Sequence, residues 1–519
     1  MQQRTYTDFS GGQNTNSGAN ASPIVVDFGQ TEALRFAESS GNWRHNEDGL
    51  LQYEGDIALI ESPDPAVVTG EKDWQGYTIL CKGTKIYTVS GDVETEIYPS
   101  GGTPQTAGAP YQFTECDDGA GNELLLIMNG VDPVLEFNGS TCVRMTVIDD
   151  DAVIWGDARP QGAMYFRGSL FYWGDSTHPH RWWKPRPGTR NNFDNTDKTV
   201  ESGDVDAGFG GKLTGMHSLT DDMAVIFKER AIRRMSGVNP FNASVDPITI
   251  RPISDTLGCV APRTIVQEGL DLYFLSEDGL RQLKPVLSYG DLDPEQPTYA
   301  IQNVINDLNF TSTAIVNACA TFHKPTNLLW LSVPEGSSAT NNLIIIHHTI
   351  TGAVDLRGIG DIQASTITVV DRKIHTGGYD GQVYKHGDDY TYNGGAIAAA
   401  WESKWVAHDG IGRRKIYRQL HIYCESDGAG ELIIQYMVQN HSETMTQSTT
   451  EEISTGDDAW DEAVFDISSF GDGNQQIFKI KNLGKGNAIK LRFVNNAPNQ
   501  NVKIRTVDLF YDLLNTSHG

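Results

Sequence analysis

Leu272-Tyr273-Phe274-Leu275, then Ser276-Glu277-Asp278-Gly279, then Leu280-Arg281-Gln282-Leu283 is the stretch on which the fold turns. Two short runs of aromatic and branched apolar residues flank a tight polar tip. Asp-Gly at that tip predicts a β-hairpin with a type I′ turn, in which both central residues take positive φ. A related unit follows as Ile374-His375, Gly378-Tyr379-Asp380-Gly381 and Gln382-Val383-Tyr384. Working outward, similar apolar runs begin at residues 86, 124, 170, 223, 272, 328 and 374, separated by 38, 46, 53, 49, 56 and 46 residues. Recurrence at roughly 40–50 residues, with several strands per repeat, predicts the blades of a β-propeller, about 6–7 of them. A pair of large β-sandwiches is the plainer alternative. One segment reads as helix: in residues 299–310, Ile301, Val304, Ile305 and Leu308 fall on one helical face.

Both ends of the chain differ from this repeat. Residues 1–22 are rich in Gly, Ser, Asn and Gln and carry too little apolar surface to pack alone. They predict an extended arm that orders only against something else. Beyond Tyr390-Thr391-Tyr392-Asn393-Gly394-Gly395, candidate strands at 419–423, 431–437, 488–493 and 503–511 alternate with Ser/Thr/Asp-rich stretches. They predict an antiparallel β-sandwich of roughly 120 residues. The expected organisation is an all-β chain: an N-terminal arm and assembly segment over 1–60, a propeller over 61–390 and a sandwich over 391–519.

Composition narrows function. The 519 residues include 40 basic and 67 acidic side chains, a formal charge of −27. So acidic a chain is not expected to grip nucleic acid through phosphates, although DNA could slide past it. The six cysteines stand far apart, with no C-x-x-C pair, and predict free, mostly buried thiols in a reducing compartment. Met1-Gln2-Gln3-Arg4-Thr5 does not read as a signal peptide, and Leu124-Leu125-Leu126-Ile127-Met128 is too short to span a bilayer.

The residues that could carry chemistry are few. His178-Pro179-His180 and His347-His348 are close pairs without a third ligand at a useful spacing. Asp204-Val205-Asp206-Ala207-Gly208 opens like a calcium loop, but Gly208 and Thr214 stand where further ligands belong. Asp149-Asp150-Asp151 reads as a solvated turn. No G-x-S-x-G, P-loop or H-E-x-x-H occurs. No catalytic, metal or cofactor-binding residue is assigned, and no cofactor is expected. Arg181-Trp182-Trp183-Lys184-Pro185-Arg186 joins aromatic and basic groups. It suits a nucleic-acid or glycan contact, a protein-interface anchor, or packing between blades. Arg181, Trp182 and Trp183, with Phe9 of the arm, are the candidate interface residues.

Several phrases resemble tail proteins of short-tailed bacteriophages. Asp8-Phe9-Ser10-Gly11-Gly12-Gln13-Asn14-Thr15 opens the series, followed by Glu32-Ala33-Leu34-Arg35-Phe36 and Gly49-Leu50-Leu51-Gln52-Tyr53-Glu54-Gly55. Later come Met128-Asn129-Gly130-Val131-Asp132 with Phe137-Asn138-Gly139, then Phe166-Arg167-Gly168-Ser169-Leu170-Phe171, and then Leu257-Gly258-Cys259-Val260-Ala261-Pro262-Arg263-Thr264-Ile265. Their order over residues 8–385 carries the resemblance. It implies a non-enzymatic subunit of the tail nozzle or hub, assembled in the bacterial cytoplasm and carried in the virion. Such subunits form a homo-oligomeric, usually hexameric, ring below the portal and adaptor, with tail fibres or spikes as further neighbours. DNA passes through without sequence-specific binding. The competing expectation is a glycan-binding or glycan-cleaving propeller, which calls for repeated aspartate turns or a carboxylate pair in a central pocket.

Overall fold

In the computed structural model the chain is almost entirely strand and turn. The structure describes residues 1–7, 24–27, 37–46, 49–60, 63–99, 102–149, 154–194, 199–237, 248–285, 292–357, 362–387, 390–410, 412–427, 430–440, 443–453, 475–497 and 500–514.

Among the described residues six antiparallel four-stranded units follow one another, spanning residues 68–98, 112–144, 162–204, 213–254, 266–295 and 319–357, and a seventh unit is built on residues 364–386. The first six are simple meanders. In the seventh, Ala364–Val370, Lys373–Gly378 and Val383–His386 form a meander, the fourth strand is Asp56–Ala58 from far upstream, and the short strands Thr391–Tyr392, parallel to it, and Gly395–Ala396 extend the edge. This is a β-propeller, and the seven units are its blades.

Strand alternation explains how the blades pack. Successive side chains point to opposite faces, so a central strand must be apolar on both. In blade 2, Leu125 and Ile127 join Cys81 and Ile86 of blade 1, while Leu126 and Met128 join Tyr172 and Trp183 of blade 3. Equivalent seams run on through blades 3 to 7. A further seam places Val383 of blade 7 against Val68, Leu80 and Tyr87 of blade 1. Every blade therefore has an apolar neighbour on both sides. Each fully buried large side chain contributes about 1.5–3 kcal/mol.

Two local expectations are corrected. The hairpin at 276–279 forms, but only Gly279 takes a positive φ, 126°, so its turn is not type I′. That conformation occurs at Arg167-Gly168 instead, where φ is 48° and 76°. The predicted helix is short: a 3-10 turn Pro297–Ile301 runs into the α-helix Gln302–Asn306. Ile301, Ile305 and Leu308 pack into the seam between blades 5 and 6.

The C-terminal region forms a two-sheet sandwich, but not from C-terminal residues alone. One sheet joins Trp43–Asn46, Gly49–Gln52, Asn501–Leu513, Lys415–Asp427 and Gln475–Gly486, with Gln2–Tyr6 paired to Asn501–Leu513. The other joins Ile24–Asp27, Trp405–His408, Ala488–Asn495, Ala399–Ser403 and Ala37–Gly41, with the hairpin Gly430–Asn440/Glu443–Ile453 beside it. The Ile24–Asp27 pairing is parallel, unlike the expected all-antiparallel arrangement. Trp401 stacks on Phe493 at 5.2 Å in a core that also holds Tyr6, Trp43 and Leu50.

The division at residue 60 is thus overturned. Five strands within residues 1–52 are built into the sandwich, and Asp56–Ala58 belongs to blade 7. The arm expectation fails for Gln2–Tyr6, whose backbone finds partners in residues 507–511 of the same chain. Residues 8–23, including Phe9, lie outside the described residues. Among the described residues no helix is long and apolar enough to cross a membrane.

Candidate functional site

Polar groups converge where the sandwich meets blades 6 and 7. His45 lies on a sandwich strand and Asp355 on the last strand of blade 6, Val354–Arg357. Asp355 is fully buried and accepts hydrogen bonds from His45 Nδ1 (2.5 Å), His348 Nε2 (2.7 Å) and Tyr53 Oη (3.0 Å). Burial alone would raise the Asp355 pKa. The charges and hydrogen bonds of His45 and His348 outweigh it and hold the carboxyl well below the usual carboxylate range. Burial, then Asp355, push the Tyr53 phenol up.

Two residues further on, Arg357 is nearly buried. Its guanidinium lies 4.8 Å from the Trp330 ring centroid and 5.1 Å from that of Tyr53. It donates to the Glu54 carbonyl and, at 3.3 Å, to His386 Nδ1. His386 Nε2 then donates to Thr376 Oγ1 at 2.8 Å. Burial and the Arg357 charge push the His386 pKa far down, which fits a neutral ring accepting from an arginine.

Beside this network lies a cavity of about 270 Å³, lined by Asp56, Ile362, Gln363, Thr376, Gly378, Tyr379, Asp380, Tyr384, Tyr392 and Asn393. It forms where Asp56–Ala58 completes blade 7. Gly55 permits this approach, since a Cβ there would stand 1.9 Å from the Thr391 carbonyl oxygen. Tyr392 links cavity to junction: its hydroxyl donates to Asn42 Oδ1 at 2.9 Å.

The residues singled out in the sequence lie elsewhere and apart. Trp182 and Trp183 are not surface anchors, which corrects their assignment as interface candidates. They are neighbours on the strand Arg181–Lys184 and so point into different seams, Trp182 between blades 3 and 4 and Trp183 between blades 2 and 3. Arg181 is bound by both oxygens of Asp204, at 2.9 and 3.1 Å. Asp206 pairs with Arg233, so each carboxylate of the calcium-like phrase faces an arginine. His178 bonds Asp175, whereas His180 accepts from Gly208 N. Among the described residues no group of three His, Cys, Asp or Glu side chains is placed to hold a metal ion. The junction residues escaped sequence reading because single His, Asp and Arg residues in short strands carry no spacing signal. The turn at 378–381 did carry one, as a chain reversal.

No family model matches the chain, and no curated protein matches it. Among solved structures, it is similar to the extracellular domain of the two-component system protein BT4673 from B. thetaiotaomicron, with 11% identity and a TM-score of 0.42 over 70% of this chain. The chain spans 43% of that protein's length. BamB from Moraxella catarrhalis gives 9% identity and a TM-score of 0.34, covering 67% of this chain and 96% of BamB. PorZ, a surface component of the type-IX secretion system of Porphyromonas gingivalis, gives 10% and 0.43, covering 84% of this chain and 63% of PorZ. The propeller is read from the sheet order itself, and these likenesses carry nothing about activity.

Proposed function

We propose that the chain is a structural subunit of a bacteriophage tail, a nozzle or hub ring through which DNA leaves the head. The ordered phrases over residues 8–385 support this reading. The observation that carries it furthest is the shared N-terminal segment. Gly49–Gln52 is a sandwich strand, and Asp56–Ala58 is a propeller strand only a few residues later. The buried His45–Asp355 pair closes the same junction from the other side. A subunit stitched twice between its two units suits a mechanical part that keeps its shape while DNA passes.

The charge of −27 fits a conduit. A basic lining would bind phosphates and hold a passing duplex, whereas an acidic one leaves no sticky minimum along the path. At physiological salt the screening length is about 8 Å, so such repulsion acts at close approach and centres the duplex.

Negative-stain imaging and mass measurement of the purified chain, alone and in lysate of phage-infected cells, test the proposal. Rings of about six copies around an opening wider than a DNA duplex are expected for such a conduit. Monomers under both conditions, or a lumen ringed by Lys and Arg, would overturn it.

A further inference from the structure

The turn Gly378-Tyr379-Asp380-Gly381 does more in the fold than reverse the chain. It forms one wall of the cavity on blade 7. We propose that this cavity binds one neutral sugar ring, free or at the end of a glycan.

Size sets the first limit. Pockets for drug-sized ligands run from about 300 to 1,000 Å³. A cavity of about 270 Å³ lies below that range and suits one ring. Chemistry sets the second. A sugar ring has apolar C–H faces and a rim of hydroxyls that both donate and accept. The Tyr384 and Tyr392 rings offer apolar surface. Gln363 and Asn393 line the cavity and are exposed, so their side-chain amides are open to a ligand. Each amide can both donate and accept. No Lys or Arg lines the cavity among the described residues, which disfavours acidic sugars and phosphates.

The third argument is preorganisation. The Tyr384 hydroxyl donates to Asp380 Oδ2 at 2.6 Å, and Gln382 N donates to Oδ1 at 3.0 Å. The carboxylate is thus aimed before any ligand arrives. A carboxylate offers about four lone-pair sites, so capacity remains for adjacent hydroxyls. Gly378 keeps this pair in place. Its backbone has no positive φ that would call for glycine. A Cβ there would stand 2.2 Å from Asp380 Oδ1 and 3.3 Å from Tyr384 Cε2. The absent side chain is the space that Asp380 and Tyr384 occupy. A sugar-binding blade is compatible with a tail subunit and with a free propeller alike.

Saturation-transfer NMR on the full-length protein tests this. The probes are the methyl glycosides of glucose, galactose, mannose and rhamnose, N-acetylglucosamine, and an oligosaccharide ending in whichever sugar responds. Putrescine and N-acetylneuraminic acid serve as charged controls. At least one neutral sugar should respond with millimolar affinity. Gln363→Ala combined with Asn393→Ala, both exposed, should weaken it by about tenfold while leaving the melting curve unchanged. Gly378→Ala should abolish it, and if that variant unfolds, the double variant decides. A response to the oligosaccharide well above that to the free sugar would identify a glycan end as the ligand. No response to any neutral sugar, equal binding by the double variant, or preferential binding of putrescine would each overturn the proposal.

Discussion

His45 and Asp355 are 310 positions apart in the chain, yet their side chains meet at 2.5 Å with both fully buried. One belongs to the sandwich and the other to the propeller. Asp355 also receives His348 and Tyr53, so one carboxylate gathers four donors, counting the His45 backbone N at 3.3 Å.

Removing that carboxylate should therefore cost more than an ordinary hydrogen bond. Asp355→Ala leaves buried donors without an acceptor, and breaking such a buried pair costs about 3–5 kcal/mol. Asp355→Asn keeps the shape and one acceptor oxygen and should cost about half as much. Urea denaturation followed by tryptophan fluorescence measures both. A loss below about 0.5 kcal/mol for the alanine variant would mean that the junction does not depend on this group.

Acid should loosen the fold as pH falls from about 6.5 toward 3. Burial, then His348, push the His347 pKa down to about 4. Burial, then Lys415 and Arg4, push that of His408 down to about 3. Unfolded histidine titrates near 6.5. The folded state thus favours neutral rings, so the stability they contribute is present above about pH 6.5 and is lost as pH falls toward the folded values. For buried groups shifted this far, the loss is on the order of a few kcal/mol together. Tyr6 Oη lies 2.6 Å from His408 Nε2, so protonation of that ring should also loosen the N-terminal strand. His408→Gln should flatten the pH dependence of the urea midpoint, and an unchanged slope would contradict this.

Glycines at the blade 7 closure should respond differently from one in an open hairpin turn of blade 1. Gly55→Ala places a Cβ 1.9 Å from the Thr391 oxygen, and Gly381→Ala places one 2.0 Å from the Asp64 oxygen. Both obstacles are backbone, so the chain at residues 55–56 or at 64–65 must shift. Losses above about 3 kcal/mol and faster proteolysis near residue 60 are expected. Gly76→Ala is the control: its φ is +79° but nothing lies within 4 Å, so only about 1 kcal/mol should be lost.

Thiol chemistry checks the seams. All six cysteines are free, five of them buried and Cys116 half-buried. Burial pushes the pKa of Cys116, Cys142, Cys259 and Cys424 up to about 12. Few thiolates exist at pH 8, so native protein should react slowly with a disulfide reagent, Cys116 first. In denaturant without reductant, six thiols per chain should react. Two or more missing would mean that disulfides form.

Deleting residues 1–7 should destabilise the monomer itself. The cut removes a strand paired along residues 507–511 and the buried Tyr6 ring. A drop of several degrees in melting temperature is expected, whereas an unchanged melt would return this segment to the role of a free arm.

Sequence reading found the blades because their second strands are buried on both faces and appear as apolar runs, as in Leu328–Val333. It misplaced only the first marker. Ile86 falls on the third strand of blade 1, whose second strand is Tyr77–Lys82, and this accounts for the short spacing of 38. It missed the role of the N-terminal segment because Ala-Glu-Ser-Ser-Gly at 37–41 and Trp-Arg-His-Asn at 43–46 are short and polar. Ala37–Gly41 is a strand through a partner at residues 400–403, and the local hairpin of Trp43–Asn46 with Gly49–Gln52 is held in its sheet by residues 503–504, so propensity holds no trace of these distant partners. The cavity was equally hidden, since Asp56, Gln363 and Tyr384 share nothing in sequence.

The strand that completes blade 7 has a consequence for synthesis. Asp56–Ala58 leaves the ribosome early and must wait for residues 383–386, while Gln2–Tyr6 must wait for residues 507–511. Domains usually fold as units while the chain is still growing, N-terminal first. Here the propeller cannot close before residues 383–386 are made, nor the sandwich sheet before residues 507–511. A chain stopped before residue 383 therefore presents an open blade and an unpaired sandwich edge, flawed in both units at once. A chain stopped between those two limits keeps a closed blade 7 and lacks only the sandwich pairing, so the propeller can acquire its shape while the sandwich sheet is still open.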